Sequence, residues 1–248
     1  MKKFLCLILS LMFIIPVSLI FTGCNEIGVS TAEELRDKLL SADDGATIVL
    51  NSDITLSEDS IESRFVVTKK LNLNLNGKSI IAKKGDGYIN ENGNTNDANS
   101  LWNDLTFIFV VDEGGDLTIT GNGLIDGISG DVYAFNVVNN GKLTIENGTI
   151  KGSCTAIQVN KGEANIKGGE FSVIPAGGMT DCRYLLNLID ANGKDGTAKI
   201  NVSGGKFSKF DPSNNLAENP QVNFVVDGYE SRLIENTDVY EVVKSANI

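Results

Sequence analysis

The segment GKLTIENGTIKG, residues 141–152, recurs with small changes along the chain. A close copy, GDLTITGNGLIDG, spans residues 115–127, and weaker copies begin at Gly162 and Gly196 and end at Ile81. Every copy has a glycine turn, an alternating strand, a second turn of Gly or Asn, and a short strand on Ile, Leu or Phe. Recurrence at a spacing of about 20–50 residues indicates a repeat architecture, in which one unit buries its apolar face only by stacking on the next.

Each repeat is predicted to contain about three short strands. Besides the two strands of the repeated segment, an apolar strand precedes each glycine turn: TFIFVV (106–111), AFNVV (134–138), AIQV (156–159) and YLLNLI (184–189). Because alternate side chains of a strand share a face, stacked repeats would build one continuous core. Alignment of the repeats predicts an inward column of Ile119, Ile145, Ile166 and Ile200. An antiparallel sandwich is the alternative, and it is disfavoured because the strands recur as ordered sets and not as matched pairs.

A second predicted column consists of amide side chains. Three of the apolar strands carry one amide between two apolar residues, at Asn136, Gln158 and Asn187. Stacked amides hydrogen-bond along a repeat stack as they do in cross-β assemblies. We expect this column to stabilise the stack and assign it no role in binding.

Both ends of the repeat region carry elements that would cover it. Thr31 and Glu34 stand at capping-box spacing, and Leu35 and Leu39 lie on one face of the helix that follows. Near the other end, residues 227–243 are typical of two strands around a polar turn. Such elements hide unpaired strand edges, which otherwise promote aggregation.

These features together resemble a known fold family. The capping helix followed by GATIVLNSDITL (45–56), and the copies of the repeated segment, resemble the right-handed parallel β-helix (pectin-lyase-like) fold over most of residues 30–245. The closing stretch, from GGKFSKFDPS (204–213) onward, is similar to the ending of β-helix surface proteins from gut bacteria and their phages. The resemblance implies an all-β protein, a right-handed parallel β-helix of about five or six coils with an N-terminal capping α-helix. It implies one domain, residues 30–248, that includes the C-terminal β cap, but no single function, because the fold carries lyases, glycosidases, adhesins and phage tail parts.

The N-terminal segment has the pattern of a targeting signal. Two lysines precede an apolar run from Phe4 to Phe21, and the run ends at FTGC. Small residues followed by cysteine resemble the lipobox of bacterial lipoproteins, although Phe21 departs from the usual Leu, Val, Ala or Ile. The resemblance implies a signal peptide at residues 1–23 and a lipid on Cys24.

Two alternatives for this segment are an uncleaved membrane helix and an ordinary signal peptide. Pro16 and the small pair Thr22-Gly23 argue against the helix. We therefore expect a short tether at residues 24–29 and an extracytoplasmic protein, anchored by lipid at the surface of a bacterial membrane.

The composition excludes several function classes. A formal net charge of −11 disfavours nucleic-acid binding, because an acidic surface repels phosphate backbones. The chain has no histidine, which removes Ser-His-Asp and Cys-His catalysis and the commonest zinc ligand. Asp190 and Arg183, at opposite ends of one predicted strand, remain as an acid and a base for a carboxylate-based enzyme. An ordinary surface placement is favoured for both, so no catalytic residue is assigned.

Two cysteines fall within the repeat region. Cys154 and Cys182 each lie just before an apolar strand, so stacking places them at about the same position on neighbouring coils, roughly 5 Å apart. A disulfide fits this geometry and an oxidising compartment. Two free thiols packed in the core are an equal alternative.

Length variation is concentrated at one corner of the repeat. A long insertion occupies residues 82–104, and the segments 126–132, 151–155 and 175–183 fall at the equivalent place in later repeats. Repeat proteins commonly place insertions on a binding face. This corner is therefore the predicted interaction surface.

The long insertion supplies the predicted ligand-binding residues: Tyr88, Asn92, Asn94, Asp97, Trp102 and Asp104. Aromatic planes beside amides and carboxylates suit sugar rings and their hydroxyls, and the same oxygen-rich loop could hold calcium. No metal ligand is assigned and no other cofactor is expected. The alternatives are that Trp102 packs the loop onto the coil and that the Asn-rich run is only solvated.

Three functions follow from these features. We favour a non-catalytic, adhesin-like surface module that binds a polysaccharide or a surface protein through the corner loops. The second is a carbohydrate-active enzyme, a polysaccharide lyase or glycosidase with a carboxylate-based site. The third is a structural envelope protein without a small ligand.

Overall fold

The computed structural model describes residues 26–57, 64–83, 107–130, 132–175, 181–217 and 222–246. Strands β1 to β7 are Glu26–Val29, Thr47–Leu50, Ile54–Ser57, Phe65–Val67, Lys70–Asn74, Ser79–Lys83 and Phe107–Val111. Strands β8 to β14 are Asp116–Thr120, Leu124–Asp126, Tyr133–Val137, Gly141–Ile145, Thr149–Ser153, Ile157–Val159 and Gly162–Ile166. Strands β15 to β20 are Glu170–Ile174, Leu186–Leu188, Ala198–Val202, Lys206–Ser208, Tyr229–Leu233 and Val239–Lys244. The helices are α1, Ala32–Ser41, α2, Asp190–Lys194, and a 3-10 helix, Ile128–Gly130.

The strands form three sheets. A seven-stranded sheet has the order β1-β2-β5-β8-β11-β14-β17, a five-stranded sheet the order β16-β13-β10-β7-β4, and an eight-stranded sheet the order β19-β20-β18-β15-β12-β9-β6-β3. From β4 to β18 the chain visits the five-, seven- and eight-stranded sheets in strict rotation. All named strand pairs are parallel except β18–β20 and β19–β20. The prediction of an all-β chain with parallel strands is therefore confirmed, and the antiparallel sandwich is wrong.

The inward column of the seven-stranded sheet confirms the repeat alignment, with one correction. Ile119, Ile145 and Ile166 pair in register and are fully buried. The next member of the column is Val202, whereas Ile200 pairs with Ala164 one inward position earlier. The alignment, which was made on the central isoleucines, is wrong at the fourth repeat because Gly162 pairs with Ala198, and Gly196 lies in a turn before β17.

Aromatic side chains extend this core into the other two sheets. In the five-stranded sheet, the ring centroids of Phe65 and Phe109 lie 5.1 Å apart, and those of Phe109 and Phe135 lie 5.2 Å apart. In the eight-stranded sheet, the rings of Phe171 and Phe207 stack at 5.0 Å. A single cluster of buried apolar residues therefore connects all three sheets.

The predicted amide column is confirmed on the outer side of the five-stranded sheet. Asn136, Gln158 and Asn187 pair in register on β10, β13 and β16. Gln158 Nε2 donates to Asn136 Oδ1 at 3.4 Å, and Asn187 Nδ2 donates to Gln158 Oε1 at 3.2 Å. Neighbouring amides are thus joined by hydrogen bonds along the stack.

Helix α1 covers the N-terminal end of the five-stranded sheet, as predicted. The Thr31 hydroxyl accepts the Glu34 N–H at 3.1 Å, and the Glu34 carboxylate accepts the Ser30 N–H at 2.7 Å. The side chains of Leu35 and Leu39, on the inner face of the helix, are fully buried. The helix packs against β4, which is the edge strand of its sheet, so the exposed edge is shielded.

The segment predicted as a tether overlaps the first strand of the fold. Residues 26–29, expected in the tether, form β1 and pair in parallel with β2. The reason is burial, because the Val29 side chain is enclosed in the core. Cys24 and residues 1–23 lie outside the described residues. Neither α-helix in the described ranges has the length and apolar character needed to cross a bilayer.

The C-terminal residues extend the eight-stranded sheet and cover the last strands of the other two sheets. Strands β19 and β20 form the predicted antiparallel hairpin, and β20 continues the eight-stranded sheet from β18. The Val202 N–H donates to the Phe224 carbonyl at 2.8 Å, which covers the end of the seven-stranded sheet. Asn215 Nδ2 donates to the Leu186 carbonyl at 3.2 Å at the end of the five-stranded sheet.

Candidate functional site

The corner predicted to carry the insertions is a defined place in the fold. Each of the four variable segments leaves a strand of the eight-stranded sheet and leads to a strand of the five-stranded sheet. Phe107 and Tyr133, the first residues of β7 and β10, form an edge-to-face pair at this corner, with ring centroids 5.3 Å apart. The predicted ligand-binding residues Tyr88, Asn92, Asn94, Asp97, Trp102 and Asp104 lie outside the described residues and stay predictions.

The described residues contain a groove beside this corner. It has a volume of about 430 Å³ and lies on the outer side of the eight-stranded sheet, between the sheet and the β19–β20 turn. Its lining residues are Thr149, Lys151, Glu170, Phe171, Ser172, Lys206, Ser208, Ile234, Thr237 and Val239. Sequence reasoning did not identify this groove.

The groove floor consists of two parallel columns of polar side chains. The first column consists of residues that pair in register on β12, β15 and β18: Thr149, Glu170 and Lys206. The second column lies two residues further along the same strands, because the residue between the two columns points inward. That second column contains Lys151 and Ser172, which pair in register, and Ser208 on β18. These residues face outward because the alternate positions, such as Ile150, point into the core.

The groove wall is the turn of the C-terminal hairpin. Ile234, Thr237 and Val239 face the floor. The turn is held by the Lys209 N–H, which donates to the Asp238 carbonyl at 2.7 Å, and by an ion pair of the same two residues at 3.7 Å. The Thr237 hydroxyl also donates to the Ile234 carbonyl at 2.8 Å, which fixes the turn from within.

Of the two lysines that line the groove, only Lys206 forms an ion pair with another described residue. Lys206 Nζ lies 3.8 Å from Glu170 Oε1, so these two side chains neutralise each other. Lys151 lies opposite Asp126 in register, but the Asp126 carboxylate accepts the Ile128 N–H at 2.8 Å. Within the described ranges the Lys151 ammonium makes no ion pair or hydrogen bond. The groove thus offers one available ammonium among four hydroxyl side chains, with Ile234 and Val239 as an apolar border.

The groove lies close to the start of the long insertion. Strand β6 ends at Lys83, the second residue of the insertion, and is separated from β12 by β9 alone. Two strand spacings amount to about 10 Å. The insertion therefore leaves the sheet about 10 Å from the end of the groove that carries Lys151.

The acid and base suggested for an enzyme are not paired. Arg183 donates to Asp181 instead, with Nη2–Oδ2 at 2.7 Å and Nε–Oδ1 at 2.9 Å. This side-chain hydrogen bond holds the pKa of Asp181 below its usual value. Asp190 is the first residue of α2 and belongs to a different segment of the surface. The structure thus gives no support to an Asp190–Arg183 catalytic pair.

Cys154 and Cys182 are two free thiols in the structure. Cys182 is buried, with its sulfur 3.8 Å from the Val173 carbonyl oxygen, and Cys154 is half-buried. Burial raises the pKa of the Cys182 thiol, which disfavours the reactive thiolate. Of the two alternatives left open by the sequence, the structure has the free thiols.

No metal site is formed by the described residues, in which no three His, Cys, Asp or Glu side chains converge. The calcium prediction concerned the long insertion and stays a prediction.

Comparisons with protein-family models, with curated proteins and with solved structures each return no match.

Proposed function

We propose that the three sheets are the three sides of one right-handed parallel β-helix. The strict rotation of the chain through the sheets, with parallel pairing between successive repeats, supports this winding. Five consecutive sets of three strands, β4 to β18, together with β2 and β3, agree with the expected five or six coils. Right-handedness is proposed from the resemblance and from the general preference of parallel crossover connections.

We propose further that the protein is a lipoprotein on the outside of a bacterial membrane. The support is the signal-like segment at residues 1–23 followed by Cys24. Because β1 begins at Glu26, the folded region starts almost directly after the lipid-bearing cysteine. The β-helix would then sit close to the membrane surface.

The proposed function is the non-catalytic binding of a polysaccharide. The observation that carries it is the groove on the outer side of the eight-stranded sheet, next to the corner with the long insertion. Hydroxyl and ammonium donors in two rows suit a chain of sugar hydroxyls and ring oxygens. Ile234 and Val239 give the apolar border against which the less polar side of a sugar ring can pack.

The groove is better suited to binding than to catalysis. Its one carboxylate, on Glu170, is 65% exposed and is paired with Lys206. General acid–base and electrostatic catalysis gain most in sites that exclude water, and this groove is open to it. Its polar side chains form two columns that run across the strands, an arrangement that suits an extended ligand.

The first test is a glycan-array screen of the full-length chain in mild detergent, with and without calcium, beside a Trp102→Ala variant. We expect binding to a restricted set of glycans. The variant should bind them about tenfold more weakly, because a large aromatic contact often carries much of a binding energy. A silent array would point to a protein partner or a structural role. Release of shorter products from a bound glycan would establish the enzyme instead.

A further inference from the structure

The outer edge of strand β19 is an open sheet edge. Strand β19 ends the order of the eight-stranded sheet and pairs on one side with β20. In the part of the chain that the structure describes, no strand pairs with its other side. The last strands of the other two sheets, by contrast, are covered by Asn215 and Phe224. An open edge offers its N–H and C=O groups to any strand that fits.

The sequence of β19 is complementary to itself. The strand reads YESRL, from Tyr229 to Leu233, with Glu230 and Arg232 on either side of Ser231. In an antiparallel pair of two such strands centred on Ser231, each Glu230 lies opposite the Arg232 of the other strand. Tyr229 lies opposite Leu233, which is 53% exposed in the single chain. Opposite charges and apolar pairs are the combinations that stabilise directly opposed positions of a sheet.

A column of charged residues with alternating sign crosses the eight-stranded sheet and ends at this same edge. Glu170, Lys206, Glu241 and Arg232 pair in register across β15, β18, β20 and β19, so their charges alternate in sign. The column ends on a positive charge, and the next member of the series would be a carboxylate. Glu230 of a second β19 would supply it.

The same alternation of charge occurs in a column of a second sheet. In the seven-stranded sheet one outward column reads Lys70, Asp116, Lys142, Glu163 and Lys199 in register. Neighbouring strands thus meet with opposite charges throughout that column. Pairing of two β19 strands would continue this alternation across the interface.

We propose that this edge pairs with the same edge of a second copy, which gives a two-fold symmetric dimer through an antiparallel β19–β19 pair. Such an isologous contact closes on itself and leaves no open edge at this end of the eight-stranded sheet. Five residues on each side form a small interface, so the dimer is weak and concentration-dependent. Attachment to a membrane, which rests on the proposed function, would raise the local concentration and favour it.

The test measures the association of the full-length chain by analytical ultracentrifugation, with detergent micelles in excess. The wild type should show a monomer–dimer equilibrium. Glu230→Arg places like charges at two symmetric positions and should weaken association at least about tenfold. Arg232→Glu should do the same. A mixture of the two variants should associate about as well as the wild type, because each Arg then faces a Glu of the other chain.

The mixture separates the proposal from simple damage to the hairpin, which mixing cannot repair. Circular dichroism and thermal unfolding of each variant would show that the three sheets are intact. A monomeric wild type at all concentrations would overturn the proposal. So would wild-type association of Glu230→Arg alone, or a mixture that stays as weakly associated as its components.

Discussion

Replacement of Phe109 by alanine is expected to lower the free energy of unfolding by about 3–5 kcal/mol. Phe109 is fully buried, and its ring packs between those of Phe65, at 5.1 Å, and Phe135, at 5.2 Å. The substitution removes the middle ring of this row and leaves a cavity that the sheet backbone on either side prevents from collapsing. Urea-induced unfolding, followed by circular dichroism, measures the change.

Phe107→Ala is the matched control on the same strand. Phe107 is only half-buried and, among the described residues, its ring pairs with that of Tyr133. Its loss should cost about 1 kcal/mol, the size of one partly exposed aromatic contact. Equal effects of the two substitutions would show that the rings of the five-stranded sheet do not form the core.

Replacement of Gly152 by alanine is expected to destabilise the protein by about 3 kcal/mol, which is large for the addition of one methyl group. A Cβ atom on Gly152 would clash with the Thr155 carbonyl oxygen and lie 2.9 Å from the Ala156 nitrogen. Both are backbone atoms of the tight corner between β12 and β13, so no side-chain rotation relieves the contact. The midpoint of thermal unfolding should fall accordingly.

Gly77→Asn is the control for this effect, although it adds a larger side chain. A Cβ atom on Gly77 would meet nothing within 4 Å. The backbone there has φ +72°, a conformation that asparagine tolerates better than other side chains. We expect a loss below about 1 kcal/mol. A greater loss than for Gly152→Ala would contradict the close corner packing.

The repeat pattern of the sequence predicted the parallel sheets because it directly records which side chains face the core. Ile119, Ile145 and Ile166 were placed correctly, since strand and turn have nearly the same length in those repeats. Val202 was missed because the alignment matched the central isoleucines, and the isoleucine of the fourth repeat, Ile200, lies one inward position earlier. The turn after the strand is the better guide, since four residues separate Ile166 from Phe171 and Val202 from Phe207 alike.

The groove could not be predicted in the same way. Lys151, Glu170 and Lys206 have the outward positions at which polar residues are expected on any exposed sheet. The wall of the groove is formed by Ile234 and Thr237, which belong to the C-terminal hairpin. The repeat pattern does not indicate where this hairpin packs against the sheet. The only indication of a groove in the sequence was a row of polar residues with one member on each of three neighbouring strands: Thr149, Glu170 and Lys206.

The most direct test of the binding surface is to fill the groove. Ser172 is half-buried in the middle of the floor and faces away from the core, so Ser172→Trp occupies the groove without changing the interior. Thr144→Trp is the matched control, at a half-buried outward position of the seven-stranded sheet. Both variants and the wild type would be compared on the same glycan array and then titrated with the glycan bound best. We predict that Ser172→Trp weakens binding at least about tenfold while Thr144→Trp leaves it unchanged. Equal binding by the wild type and Ser172→Trp, or no glycan bound by any of the three, would contradict the assignment of the groove as a polysaccharide-binding site.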